Sequence, residues 1–521
     1  MKKSESFLSG ALVLSLGGLL AKILGALYRI PLTNIIGSYG MGLYQLVFPP
    51  YILFLTVAQA GIPTAISKLI AENNQLGKPQ EGKKVFRFAF LLLALLGAVC
   101  ALLMAALAKV IAEIQGNSNT TLAFLIVAPA LLFVPVTNAL KAYFQGNLNM
   151  VPSGATTVIE QVVKLAVGLF CAVKFMPDVK KAVMGAVLAI TVSEFGSLVI
   201  MSVVYAVHRK KQGKQLPVKL NAQDVKGISA NVFSLAIPVA LGGFAMQMSQ
   251  VIDSVMVVNL LSVPNATGMY GLWTGPVNSM LGLPIALSGG VAVSALPGIT
   301  KTYYSGDKEK LRQGFNSAMK LTFVIALPCA FGMIALSKPI LSMLYGSLPA
   351  EEIHVAATLL SLSGLSIVFL AVVQTCVSVC QAVGKPYATV VIVSLAIVVK
   401  AVVNLLLLPN SKINICGAAI SETLCYLFAT VCVIIYLRAK VGLKMDVSQC
   451  FVKPLAASMF MTLFITVAVV CAQRVFTTTV GTLALIVIAA TAYFAMLSLF
   501  RVFSKEEIDF LPTKKQRKTN G

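Results

Sequence analysis

Long apolar stretches divided by short polar ones set the plan of this chain. Nearly uncharged runs of about 18 or more residues recur at intervals of about 30 to 40, each long enough to cross a hydrocarbon core of about 30 Å as a helix. The pattern predicts fourteen spans, at about 7–30, 42–70, 85–112, 121–145, 153–175, 182–207, 228–260, 269–300, 314–337, 354–383, 387–408, 415–438, 451–473 and 479–503. Strand-like alternation of period two is absent. In hydrocarbon every backbone group must be satisfied internally, so the expected fold is an all-α integral membrane protein.

The pattern also repeats. Ser15-Leu16-Gly17-Gly18 returns as Ala240-Leu241-Gly242-Gly243, and MGLY at 41–44 is answered by MYGL at 269–272. AGIPTAIS ending at Ser67 matches SGGVAVS ending at Ser294, and VVKLAVGL around Lys164 matches VVKAVVNL around Lys400. Ser193-Glu194 matches Ser421-Glu422. Offsets of about 224 to 236 residues fit two homologous six-helix lobes with small loop differences. The predicted organisation is a first lobe at 1–210, a basic linker at 211–227, a second lobe at 228–440, two added helices within 441–504 and a basic tail at 505–521. Twin lobes in a membrane chain point to a transporter whose substrate site lies on the axis between them.

Composition agrees. With 58% hydrophobic and 11% charged residues and a mean hydropathy of +0.88, the chain is no water-soluble globule, whose charged fraction is typically about 25%. Its net charge of +23 is a topology signal more than a nucleic-acid signal. Roughly 30 of the 41 Lys and Arg fall at the N-terminus, in loops after even-numbered spans and in the tail, which places both termini in the cytoplasm. The clusters at Lys83, Lys84 and Arg87, at Arg209 to Lys211 with Lys214, and at Lys514, Lys515, Arg517 and Lys518 suit anionic lipid headgroups. The opening MKK and its apolar run read as a retained first helix, because the run holds Lys22 and Arg29 and has an internal copy.

Enzyme chemistry finds little support. Ten cysteines without a CxxC pair make neither a metal nor a disulfide framework, and Cys376 and Cys380 read as small packing residues. His208 and His354 both sit near span ends. No Ser/His/Asp set, phosphate-cradling glycine loop or metal cluster occurs, and no cofactor is expected.

The candidate chemistry lies in ionisable groups at bilayer depth, which cost several kcal/mol each and so line cavities or pair internally. They are Lys22, Arg29, Glu160, Lys164, Glu194, Asp253, Lys400 and Glu422. Lys22 and Arg29 share one face of the first helix about 10 Å apart, an arrangement suited to an anion. Alternatively, Arg29 snorkels to headgroups and Lys22 pairs with an acid of a neighbouring helix. Lys164 and Lys400 join them as candidate headgroup contacts. Glu160 and Lys164, spaced i, i+4, read first as an intrahelical ion pair. Asp253 falls within one residue of the repeat position of Arg29, so a bridge between them that opens on substrate binding is one hypothesis. Glu194 and Glu422 are read as helix-packing partners or as proton or sodium sites, which makes Asp253, Glu160, Glu194 and Glu422 the coupling and gating candidates. Pro49, Pro50 and Pro63 in the second span, with Pro276, Pro284 and Pro297 in the eighth, mark expected hinges. The pairs Gly17-Gly18, Gly242-Gly243 and Gly289-Gly290 permit close helix approach.

The segment KAYFQGNLNMVP at 141–152, VIEQVVK at 158–164, IGSYGMGLYQ at 36–45 and GIPTAISKLIAE at 61–72 closely resemble the signature of the stage V sporulation protein B-like polysaccharide flippases. That family stands in the multidrug, oligosaccharidyl-lipid and polysaccharide exporter superfamily, beside MurJ-type lipid II flippases and the multidrug and toxin extruders. The resemblance covers nearly the whole chain. It implies a bacterial plasma-membrane protein moving an undecaprenyl-pyrophosphate-linked saccharide from the inner to the outer leaflet, with peptidoglycan precursor as expected cargo. Ala21-Lys22-Ile23-Leu24-Gly25 and Tyr28-Arg29 occupy the place of the MurJ-type first-helix motif, with the arginine one position later. The matching stretches around Thr56 and Trp273 contain no arginine, which broadens the expected cargo to anionic lipid-linked saccharides. The expected energy source is proton or sodium coupling or the membrane potential, with no nucleotide motif for ATP. A monomer is the expected state, with cell-wall synthases as candidate partners and no nucleic acid. Two rivals stand beside this reading. One is a multidrug extruder exchanging cations, which calls for an uncompensated acid in the first helix, and the other is a non-transporting cell-wall scaffold.

Overall fold

The computed structural model describes residues 2–59, 61–211, 221–471 and 478–503, with the side chains before residue 17 and those at 19, 22, 222, 223, 238, 239, 241, 242, 245, 293 and 471 outside the described set. Most of the expected linker and the basic tail from 505 onward lie outside the described residues as well. Helices make up the described chain, and no strand occurs among the described residues. Eleven helical stretches there are long and apolar enough to cross a bilayer. One of them, Ile23–Gln75, takes in the second expected span and the end of the first. The fifth and seventh expected spans are helices outside those eleven.

The chain divides into two compact units, Met1–Ser279 with Leu405–Ile415, and Met280–Asn404 with Cys416–Gly521. The first unit is built from α1 (Lys2–Gln59), α2 (Ile62–Gln75), α3 (Pro79–Ile114), α4 (Thr121–Val127), α5 (Ala130–Gly146), α6 (Val151–Phe175), α7 (Val179–Lys211), α8 (Ala222–Leu260) and α9 (Ala266–Leu272). Its core gathers Tyr28, Leu32, Met41, Tyr44 and Val47 of α1 against Met104 of α3, Phe124 of α4 and Val183 and Val187 of α7. A second cluster packs Ile62 and Ile66 of α2 against Phe86 of α3, Tyr143 of α5 and Val232 of α8. Lipid offers no hydrophobic drive between helices, so close approach at small residues supplies the packing. Gly17 of α1 lies against Gly154 of α6, where an added Cβ would stand 3.0 Å from the Gly154 carbonyl oxygen.

The second unit holds α10 (Asn278–Tyr304), α11 (Lys308–Ala335), α12 (Ser337–Leu344), α13 (Ala350–Ala382), α14 (Pro386–Leu407), α15 (Cys416–Lys440), α16 (Lys453–Cys471) and α17 (Thr479–Leu499). Val373 of α13, Ala396 of α14 and Cys425 and Ala429 of α15 form a buried cluster there. Large apolar side chains point outward in both units, among them Leu102, Phe170 and Val480 at 71%, 65% and 78% exposure, as a chain solvated by acyl tails requires.

The helix breaks fall beside the prolines expected to make them. Pro49 and Pro50 lie inside α1, which continues through them, and Pro284 and Pro297 lie likewise inside α10. The second span breaks instead at Gly61, left-handed with φ 72°, and Pro63 sits in the first turn of α2, where its missing N–H costs nothing. In the eighth span the irregularity is a π-helical turn at Trp273–Val277 that contains Pro276. The first and second spans join at Gly37 alone, with φ 68° and ψ −177°.

Candidate functional site

Helices α1, α6 and α7 of the first unit bring four of the expected residues, Arg29, Glu160, Lys164 and Glu194, into one neighbourhood. Arg29 lies on α1 eight residues before the Gly37 bend, half-buried, with its carbonyl accepting from the Thr33 hydroxyl at 2.8 Å. Lys164 on α6 lies within electrostatic reach of Arg29, Glu160 and Glu194. No ion pair within 4.0 Å engages either Arg29 or Lys164 among the described residues. Lys22 has its side chain outside the described residues.

Glu160 is held, though not by the residue expected. Its partner is Lys141 of α5, with Nζ 3.5 Å from Oε2 and both side chains only 13% and 14% exposed. The expected i, i+4 bond to Lys164 is displaced because Lys141 reaches across from α5 and anchors itself on the Thr157 hydroxyl at 3.3 Å. Ser197 of α7 donates to the same carboxylate oxygen at 3.4 Å, and Gln161 donates to the other at 3.2 Å. Glu194 stands one turn before Ser197 on α7, within hydrogen-bonding reach of the Glu160 carboxyl. The buried Tyr51 of α1 completes the group, facing both acids.

Lys141 was missed as a site residue because it ends an apolar span, where a lysine normally snorkels. The one signal for it was its place in the 141–152 motif. Tyr51, Thr157 and Ser197 carry no sequence signal that separates them from ordinary packing residues.

Asp253 lies on α8 of the same unit, and no ion pair within 4.0 Å joins it to Arg29 among the described residues. In the second unit Lys400 of α14 pairs directly with Glu422 of α15, Nζ to Oε2 3.3 Å, at 13% and 14% exposure. Beside them the Ser421 hydroxyl donates to Asn404 Oδ1 at 2.5 Å.

The repeated MGLY and MYGL motifs meet within the first unit. Gly42 of α1 packs directly on the Thr267 carbonyl of α9, and Gly271 packs on the Ser38 carbonyl, so a Cβ at either position overlaps backbone. Gln45 Nε2 donates to the Thr274 carbonyl at 2.8 Å, Asn117 Nδ2 to the Thr267 hydroxyl at 2.9 Å, and Asn259 Nδ2 to the Ile114 carbonyl at 3.0 Å. This asparagine-rich seam closes one end of the unit. At the opposite end Lys84 at the start of α3 reaches Glu81 and Asp224, each at 3.0 Å, beside a cavity of about 320 Å³ lined by Asn73, Lys78 and Asn231. The Asn221 backbone N–H and then Lys84 hold the Asp224 carboxyl below its ordinary range. Among the described residues no group of His, Cys, Asp and Glu is placed to hold a metal ion.

Comparison with known proteins identifies the family and the fold. The family described as polysaccharide biosynthesis protein matches residues 7–302, and MatE matches residues 238–406. The lipid II flippase MurJ of Bacillus subtilis (strain 168) is 27% identical over 449 residues, which cover 81% of each chain. Stage V sporulation protein B of the same organism is 26% identical over 354 residues, 66% of this chain and 67% of that one. A solved structure of a lipid II flippase MurJ in an inward closed conformation superposes with a TM-score of 0.73 at 16% identity, covering 94% of this chain and 99% of that one.

Proposed function

Because the chain belongs to the polysaccharide biosynthesis protein family, we propose that it is a flippase carrying an undecaprenyl-pyrophosphate-linked saccharide from the inner to the outer leaflet, with peptidoglycan precursor as its cargo. The observation that carries this reading is the pair Arg29 and Lys164. Two cations within electrostatic reach of one another, and without an ion-pair partner among the described residues, are a costly arrangement in low dielectric. An anion relieves that cost, and a pyrophosphate offers two phosphoryl groups to share between a guanidinium fork and an ammonium. The polyprenyl tail never has to leave hydrocarbon, since only the headgroup needs a polar path.

The positive-inside distribution makes the asparagine-rich seam the outer end. In this reading the Gly42–Thr267 and Gly271–Ser38 contacts are the closed outer gate, and release of cargo requires them to part. The membrane potential, worth about 2.3 kcal/mol per charge per 100 mV, is large enough to drive resetting.

The test is reconstitution. Purified protein in vesicles should scramble a fluorescent lipid-linked disaccharide pyrophosphate between leaflets, and Arg29→Ala with Lys164→Ala should abolish that while leaving the protein folded. Scrambling at the wild-type rate in the double variant would overturn the anion assignment. The MatE match keeps cation antiport as the competing outcome, shown by dye efflux that survives the same double variant.

A further inference from the structure

The anion reading uses Arg29 and Lys164 and leaves the two acids beside them without a task. Glu160 on α6 has both carboxylate oxygens engaged, one by Lys141 and Ser197 and the other by Gln161. Glu194 lies one turn from Ser197 on the α7 face that meets α6, and its carboxyl comes within reach of that of Glu160. Two carboxyls this close can both be ionised only against strong repulsion, which a single shared proton removes by turning repulsion into an O–H···O⁻ hydrogen bond.

The repeat shows that the second acid is an addition. Four residues before Lys400, where the first half has Glu160 four residues before Lys164, the second half has the buried Ala396. There Glu422 pairs with Lys400 at 3.3 Å, one acid to one base. We propose that Glu160 and Glu194 form a proton-binding site that holds one exchangeable proton between them, and that its occupancy sets the affinity of Arg29 and Lys164 for an anion.

The charged and titratable groups facing the pair are named from each element packed against it. They are Tyr51 from α1, Lys141 from α5 and Lys164 from α6 itself, with Arg29 of α1 behind Lys164; α7 adds none beyond Glu194, and α4, which packs on α7, carries none. Of these, Lys141 is committed to Glu160. With the proton bound, the remaining acid is answered by Lys141, and the charges of Arg29 and Lys164 stand uncompensated toward an anion. With the proton released, the second carboxylate competes for Lys164. Anion binding and proton uptake therefore favour one another, by an amount that must be reciprocal. This linkage rests on the anion reading, whereas the existence of the proton site does not.

Infrared difference spectra of the full chain in nanodiscs test the site directly, through the carboxylic-acid C=O stretch during a pH titration across neutrality. The expected result is a band that titrates in the wild type, vanishes in Glu194→Gln and persists in Glu422→Gln, which serves as the control for a lost carboxyl in the same scaffold. A band unchanged in both Glu194→Gln and Glu160→Gln overturns the proposal, as does the absence of any such band in wild type. Since Glu194→Gln could unfold the protein, the same titration on wild type with and without farnesyl pyrophosphate is the second readout. Probe binding should deepen the protonated signal, and its affinity should fall with rising pH by up to about tenfold per unit for one linked proton, relative to Glu194→Gln. A titrating band with no response to the probe would leave the proton site standing and remove the anion reading.

Discussion

The α6–α7 cluster of the first unit and the α14–α15 pair of the second descend from one pattern and have reached opposite electrostatic ends. In the second, Lys400 and Glu422 satisfy one another, and the hydrogen bond from Ser421 to Asn404 lies beside them. In the first, the lysine equivalent to Lys400 is left outside any ion pair among the described residues, because Glu160 is taken by Lys141. A neutralised pair holds helices together and has little left to offer a ligand. A cluster with cations in surplus is poorly stabilised on its own and well suited to a guest. The difference teaches that the two halves have diverged in charge, and under the proposed function this is a division of labour, with structure in one half and chemistry in the other.

The largest expected effect that would break this comparison is on transport. Arg29→Ala with Lys164→Ala should lower headgroup translocation by at least about 100-fold, each charge-assisted contact contributing about 1.5–3 kcal/mol, whereas Lys400→Ala should leave the rate per folded molecule near wild type. Leaflet-resolved scrambling assays on both variants decide it, and equal losses would erase the proposed division. Next comes stability. Removing Lys400 alone leaves Glu422 buried without its partner and should cost about 3 kcal/mol, while replacing both residues with Leu and Met should recover most of that, as read by thermal unfolding in detergent. Lys164→Ala should be close to neutral in the same assay.

A smaller effect is expected at the seam. Gly42→Ala forces a Cβ onto the Thr267 carbonyl and should destabilise the closed seam by about 1–3 kcal/mol, raising the reactivity of a cysteine placed at Asn117 toward a membrane-impermeant thiol reagent. Unchanged labelling would remove the seam as a gate. The smallest effect belongs to Lys84 and Asp224 at the opposite end. Asp224 has its carboxyl value depressed by the Asn221 N–H and Lys84, so its contribution is fully present above the ordinary carboxylate value and is lost as pH falls through the depressed one. Asp224→Asn should therefore lower stability slightly at neutral pH and leave it nearly unchanged at acid pH, where the wild-type carboxyl has already lost its contribution, as read by thermal unfolding across pH.

Much of this was legible in the residues. Spans, the all-α class and the repeat follow from hydropathy and from motifs such as MGLY and MYGL, since lipid allows few backbone solutions. Arg29, Glu160, Lys164 and Glu194 stood out as candidates through the cost of charge at depth, but their gathering in one place did not follow from it. The partner of Glu160 did not either, because a spacing of i, i+4 names a possible neighbour on one helix and is silent about a lysine arriving from another. Nor did the breaks. Proline signals a missing donor, but Pro49 and Pro50 stay within α1 while glycines 37 and 61 take the positive φ that turns the chain.

Gly37 carries a consequence of its own. With φ 68° and ψ −177° it occupies a region open essentially to glycine alone, and it is the whole connection between the first two spans. The two arms of α1 therefore meet as an elbow with no slack, Arg29 on one arm and Gly42 on the other. Any swing of the Gly42 arm away from α9 pivots at that one residue, so in the proposed cycle the grip on a headgroup and the opening of its exit share a single joint.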